Sequence, residues 1–100
     1  MTLQEREARA CAIIDNMAPE LRAISLYLHD NPELGLNEHK AVNVINQFLE
    51  THNFTSQVGL TDLPELQTAL RGDYNGTAQH KIAFLGEYDA LPELGHGCGH

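Results

Sequence analysis

The sequence predicts an α/β fold, with N-terminal helices packed on a mixed sheet. Three observations predict it. Ala41, Val44, Ile45, Phe48 and Leu49 recur at the i, i+3, i+4, i+7, i+8 spacing of a helix with one apolar face. The runs Thr55–Val58, Leu66–Arg71 and Lys81–Leu85 are short and apolar or alternating, and read as strands. Ligand-type side chains then crowd into Gly86–His100, directly after the last of these strands. Open α/β sheets place their sites beyond the C-terminal ends of strands.

The first helix is expected from about Leu3 to Met17. Ala10, Ile13, Ile14 and Met17 fall at helical spacing, and Glu5 and Glu7 sit where the helix dipole favours acids. Pro19 fits best at a first helical position, so it starts a new turn or kinks the helix. Leu21, Ile24 and Leu28 carry the apolar stripe on to His29, a polar residue suited to a helix C-terminus. Asn31-Pro32 ends it, because the residue before proline avoids the α region.

Pro32–Gly35 reads as a loop. The next helix runs from about Glu38 to His52, with Asn37 as its N-cap, His52 on the surface at its end, and Asn53 in a left-handed position. Glu33 and Glu38 are candidates to reach back and hold the site loop, a role that spacing alone does not show. Thr55–Val58 is a weak strand closed by Gly59, and Leu60–Pro64 is loop. Asp73-Tyr-Asn-Gly76 carries turn chemistry and predicts an antiparallel hairpin between Leu66–Arg71 and Lys81–Leu85.

Composition excludes several classes. The chain has 100 residues, room for one small domain. Fourteen acids stand against six bases, a net charge of −8, which argues against nucleic acid and against an anionic membrane surface. No apolar run approaches the ~18 residues that span a bilayer, and the charged first residues do not read as a secretory signal. The two cysteines, Cys11 and Cys98, lie far apart and form no disulfide framework; Cys11 falls among helical positions and reads as a buried bystander. The default is a cytoplasmic, reducing location.

The chemistry concentrates in His96, Cys98 and His100. Residues two apart point the same way in extended chain and different ways in a helix. Gly97 and Gly99 allow the backbone to turn tightly. Cysteine and histidine are ligands favoured by zinc and other borderline metals, and a closed site takes about four. Spacing alone leaves two readings open: half of a metal site, or a glycine-rich turn holding a buried free cysteine.

Glu87-Tyr-Asp-Ala-Leu-Pro92, followed by Gly95-His-Gly-Cys-Gly-His100, resembles the M20 family of metallopeptidases. The likeness is greatest to its amidohydrolase branch, which includes p-aminobenzoyl-glutamate hydrolases and aminoacylase-like dipeptidases. There the motif reads D-x-D-A-L-P, then G-H-x-C-G-H. A second signature is His29-Asp-Asn-Pro-Glu-Leu-Gly35 with Glu38 shortly after.

The resemblance implies that Cys98 and His100 are metal ligands in a centre of two divalent ions, zinc or manganese. Asp89 matches the residue that orients a ligating histidine. Glu87 stands where the wider family has that histidine, so it is either a support beside the metal or simply a strand-end carboxylate. His96 matches no ligand and falls to the same supporting surroundings. Residues 1–100 would then be the N-terminal part of a three-layer metallohydrolase domain, with the catalytic Glu, the remaining ligands and a lid domain in later sequence.

The implied function is metal-dependent hydrolysis of an amide bond in a small N-acyl amino acid or dipeptide-like substrate, by a homodimer with no nucleic-acid or membrane partner. The fragment by itself is expected to be inactive. Two alternatives stand beside this: a non-catalytic metal- or partner-binding module, and a structural fragment without metal.

Overall fold

Two helices and one two-stranded antiparallel sheet make up the computed structural model, which describes residues 1–60 and 62–100. The elements are α1 (Leu3–Asp30), α2 (His39–Thr51), β1 (Thr55–Val58) and β2 (Leu70–Asp73). The fold is thus mixed α and β, at a smaller scale than the predicted sheet.

α1 begins at a capping box. Thr2 Oγ1 accepts from the Glu5 amide at 3.1 Å, and the Thr2 amide donates to the Glu5 carboxylate at 2.9 Å. The expected break at Pro19 does not occur: α1 is one helix of 28 residues with Pro19 inside it. Proline leaves the carbonyl of Asp15 without its usual donor, but the good helix formers on either side carry the helix through. Residues 3–16 are all exposed, so Ile13, Ile14 and Cys11 are solvent-facing, against the expectation that they are packed. Only Met17, Ala18, Ile24 and Leu28 are half-buried, on the length of α1 that lies beside α2.

α2 matches the predicted range to one residue at each end, but its cap differs. Asn37 is not the N-cap; Glu38 is, and its side chain makes no capping bond. The orphan amides are satisfied from further away. Glu33 accepts from the Lys40 amide at 2.9 Å and from the Ala41 amide at 2.8 Å. The helix ends with Asn53 in the left-handed region, φ 68°, as expected. His52 is not a free surface residue. Its ring packs on Phe48 at 4.4 Å, and its Nε2 lies 3.4 Å from Glu20 of α1.

β1 forms where predicted. β2 does not: the strand begins at Leu70 rather than Leu66, and it pairs with β1 in the register Thr55↔Asp73 to Val58↔Leu70. The predicted hairpin of Leu66–Arg71 with Lys81–Leu85 is absent. Lys81–Leu85 takes no strand conformation, and Phe84 and Leu85 are 93% and 99% exposed. An apolar run holds strand geometry only when a ladder partner satisfies its backbone, and none stands beside it among the described residues. Thr61, within the predicted Leu60–Pro64 loop, lies outside the described residues.

The core sits between α2, β2 and the start of the C-terminal loop. Its buried apolar members are Ala41, Val42 and Ala90. β2 passes close to α2 at Gly72, where a Cβ would come within 2.9 Å of Leu49 Cδ1 and push that side-chain tip aside.

Candidate active site

The C-terminal loop is anchored at Tyr88 and Ala90, on either side of Asp89. Tyr88 donates its hydroxyl to the carbonyl of Thr68. Asp89 follows, half-buried. The Ala90 amide donates to the Glu33 carbonyl at 2.6 Å, and Ala90 forms an isolated parallel bridge with Leu34. Two segments far apart in sequence, 32–38 and 88–90, thus meet at one point.

A tight turn comes next. Leu91 and Gly95 exchange backbone hydrogen bonds of 3.1 and 3.0 Å, with Glu93 in the left-handed region at φ 65°. The chain then doubles back through Gly97 and Gly99. At Gly99 φ is 83°, a conformation that L side chains rarely adopt.

This return brings His100 between two carboxylates. Its Nδ1 lies 3.5 Å from Glu87 Oε2 and its Nε2 lies 3.9 Å from Asp89 Oδ1. Both separations are too long for good hydrogen bonds. An imidazole that binds a cation through one nitrogen is commonly oriented by a carboxylate at the other. His100 has a carboxylate near each nitrogen, so either could serve.

The remaining predicted residues are not drawn in. The Cys98 thiol is exposed, against the alternative of a glycine-rich turn holding a buried free cysteine. His96 is half-buried. No three His, Cys, Asp or Glu side chains converge to hold a metal ion among the described residues. Thiolate, imidazole and carboxylate are donors suited to a borderline divalent ion. The donor chemistry therefore fits, while the donors this chain brings together fall short of the about four that a closed site needs.

Four residues support the loop: Glu33 and Glu38, which the sequence singles out for reaching back to it, and Thr68 and Tyr88, which it does not. Thr68, buried, donates its hydroxyl to Glu38 Oε1 at 2.7 Å, and its carbonyl takes the Tyr88 hydroxyl. Burial pushes the Tyr88 phenol above its ordinary value, and the Glu38 charge adds to the shift. Glu33 holds α2. A cleft of about 290 Å³ opens against this support, bounded by Leu36, Glu38, Thr68, Glu87, Tyr88 and Asp89. A polar residue within the Leu66–Leu70 run was the one available hint for Thr68.

No protein-family model matches the chain. Among curated proteins, Xaa-Arg dipeptidase of Mus musculus is 36% identical over 104 aligned residues, covering 98% of this chain and 24% of the relative. Xaa-Arg dipeptidase of Homo sapiens is 32% identical, with the same coverages. An uncharacterized hydrolase of Staphylococcus haemolyticus is 33% identical over 74% of this chain and 21% of its own length. The chain is similar to dipeptidase-type hydrolases. It spans about a quarter of the length of the dipeptidases it matches, and is consistent with a segment of an M20 dipeptidase-like hydrolase.

Proposed function

We propose that this chain is part of a metal-dependent hydrolase that cleaves the amide bond of small N-acyl amino acids or dipeptide-like substrates. The observation that carries the reading is the likeness to two Xaa-Arg dipeptidases across 98% of the chain. Dipeptides ending in arginine join the substrate class on that likeness alone.

In this reading Cys98 and His100 are ligands of a two-ion centre of zinc or manganese. Asp89 orients His100 through the ring nitrogen that faces it, and Glu87 and His96 support the surroundings. The remaining donors and the proton-shuttling carboxylate are assigned to the further sequence that the longer relatives possess. Bound ions supply polarisation of the scissile carbonyl and a water acidified to a pKa of about 7. What these residues contribute is placement. The Tyr88–Thr68–Glu38 chain and the Glu33 carbonyl hold the base of the loop, and His100 is kept between Glu87 and Asp89.

The test is hydrolysis of N-acyl amino acids and Xaa-Arg dipeptides by the full-length protein carrying this segment, before and after chelation. Turnover that chelation removes and zinc or manganese restores supports the reading. No turnover of either class with metal supplied sinks it.

A further inference from the structure

The strongest unassigned feature is the double use of Glu33. Its carboxylate accepts from two successive amides, Lys40 at 2.9 Å and Ala41 at 2.8 Å, in the first turn of α2. Its own carbonyl accepts from the Ala90 amide at 2.6 Å. One residue therefore binds a helix N-terminus with its side chain and the residue after Asp89 with its backbone. Leu34 continues the contact as a bridge to Ala90, and Asp89 Oδ2 lies 3.8 Å from where a Cβ on Gly35 would stand. Both ends of the link are buried, at Ala41 and at Ala90.

We infer that Glu33 is a positioning residue for the Asp89–His100 loop, acting through α2. The physical reason lies in the geometry of the clamp. A carboxylate has two acceptor oxygens and no donor, so it can take two neighbouring helix amides at once, with the helix dipole favouring its charge. That bidentate hold fixes how the Glu33 backbone stands against α2, and hence where its carbonyl points. The carbonyl sets the height of Ala90, and Asp89 is one peptide away. Glutamine offers one acceptor oxygen and turns an NH₂ towards the second amide, so Glu33→Gln loosens the clamp without changing side-chain size. Aspartate keeps the charge but is one methylene too short to span both amides, so Glu33→Asp restores the clamp in part.

The structural half of this inference stands on contacts alone; its consequence for turnover rests on the hydrolase reading. Amide hydrogen exchange measured by NMR on the ¹⁵N-labelled full-length protein carrying this segment tests the first half. Glu33→Gln should speed exchange at Lys40, Ala41 and Ala90 by about tenfold or more, while the Gly59 amide, bonded to Ala69, keeps its rate. Glu33→Asp should fall between. Thr2→Ala, which removes an equivalent cap from α1, should speed exchange at Glu5 and leave Ala90 alone. An unchanged Ala90 rate beside faster Lys40 and Ala41, or a uniform rise that includes Gly59 in both Glu33 variants, overturns the inference. In the full-length hydrolase, Glu33→Gln should lower kcat by about 10- to 100-fold with KM held, and Glu33→Asp should recover part of it. Full kcat in Glu33→Gln overturns the positioning role. Inactivity of the unsubstituted protein would instead strike the hydrolase reading and leave the exchange result standing.

Discussion

Two predictions belong to single residues. The thiol of Cys98 is exposed and the ring of His100 is flanked by Glu87 and Asp89. A thiolate binds a borderline ion far better than a hydroxyl does, so Cys98→Ser in the full-length protein should lose both metal and turnover. Asp89→Asn keeps the shape but weakens the hold on His100, and should cut turnover about 10- to 100-fold with metal partly retained. Metal analysis beside rate measurement decides this; full metal and full rate in Cys98→Ser would return the stretch to a glycine-rich turn. Tyr88 supplies the second prediction. Its phenol is raised by burial first and by Glu38 second. The folded state then holds this proton more tightly than the unfolded chain does. The Tyr88 contribution to stability is fully present below about pH 10 and is lost as pH rises through the folded value. Difference titration of tyrosinate absorbance against Tyr88→Phe should place the transition above pH 10, and Glu38→Gln should move it down. An unmoved transition would remove Glu38 as a cause.

At the scale of elements, α1 poses the sharpest question, because Pro19 sits inside it. Proline removes one helical hydrogen bond and crowds the carbonyl four residues earlier. Pro19→Ala should therefore stabilise the chain by about 1–3 kcal/mol. Chemical denaturation followed by circular dichroism measures it, and a loss of stability would mean that proline is favoured here for an unfolded-state reason. α2 contrasts with α1. Its apolar face packs on β1 and β2, and its first turn is tied down by Glu33 rather than by an adjacent cap.

The molecule as a whole is extended. Its radius of gyration is 15.6 Å, against about 13 Å for a folded chain of this length. The long axis, 47 Å, is close to the ~42 Å that a 28-residue helix spans. The buried apolar residues are small, and no large side chain is fully buried among the described residues. Meanwhile Ile82, Phe84 and Leu85 stand in solvent, and β2 pairs with β1 alone. Such a surface invites association. The purified chain should self-associate with rising concentration, and Phe84→Lys with Leu85→Lys should suppress it. Sedimentation velocity reads this directly; a wild-type chain that stays monomeric over a wide concentration range refutes it. Among the described residues no helix is long and apolar enough to cross a membrane.

The sequence by itself determined what depends on neighbours a few residues apart. The periodicity from Ala41 to Leu49 placed α2 within a residue at each end, Asn53 announced its left-handed exit, and β1 ended at Gly59 as its turn chemistry required. The concentration of ligand-type residues in Glu87–His100 was legible for the same reason, since type and spacing are local. Only the tertiary structure decided what depends on distant partners. Apolar periodicity promised a packed face for Ile13 and Ile14, yet nothing covers it among the described residues, and Lys81–Leu85 has strand composition without a strand to pair with. The same holds for the site. Which carboxylates flank His100, and that Glu33 rather than Asn37 satisfies α2, follow from contacts across spacings that no local pattern encodes. Propensity and periodicity act along the chain, whereas burial and hydrogen-bond satisfaction are settled by whatever folds against it.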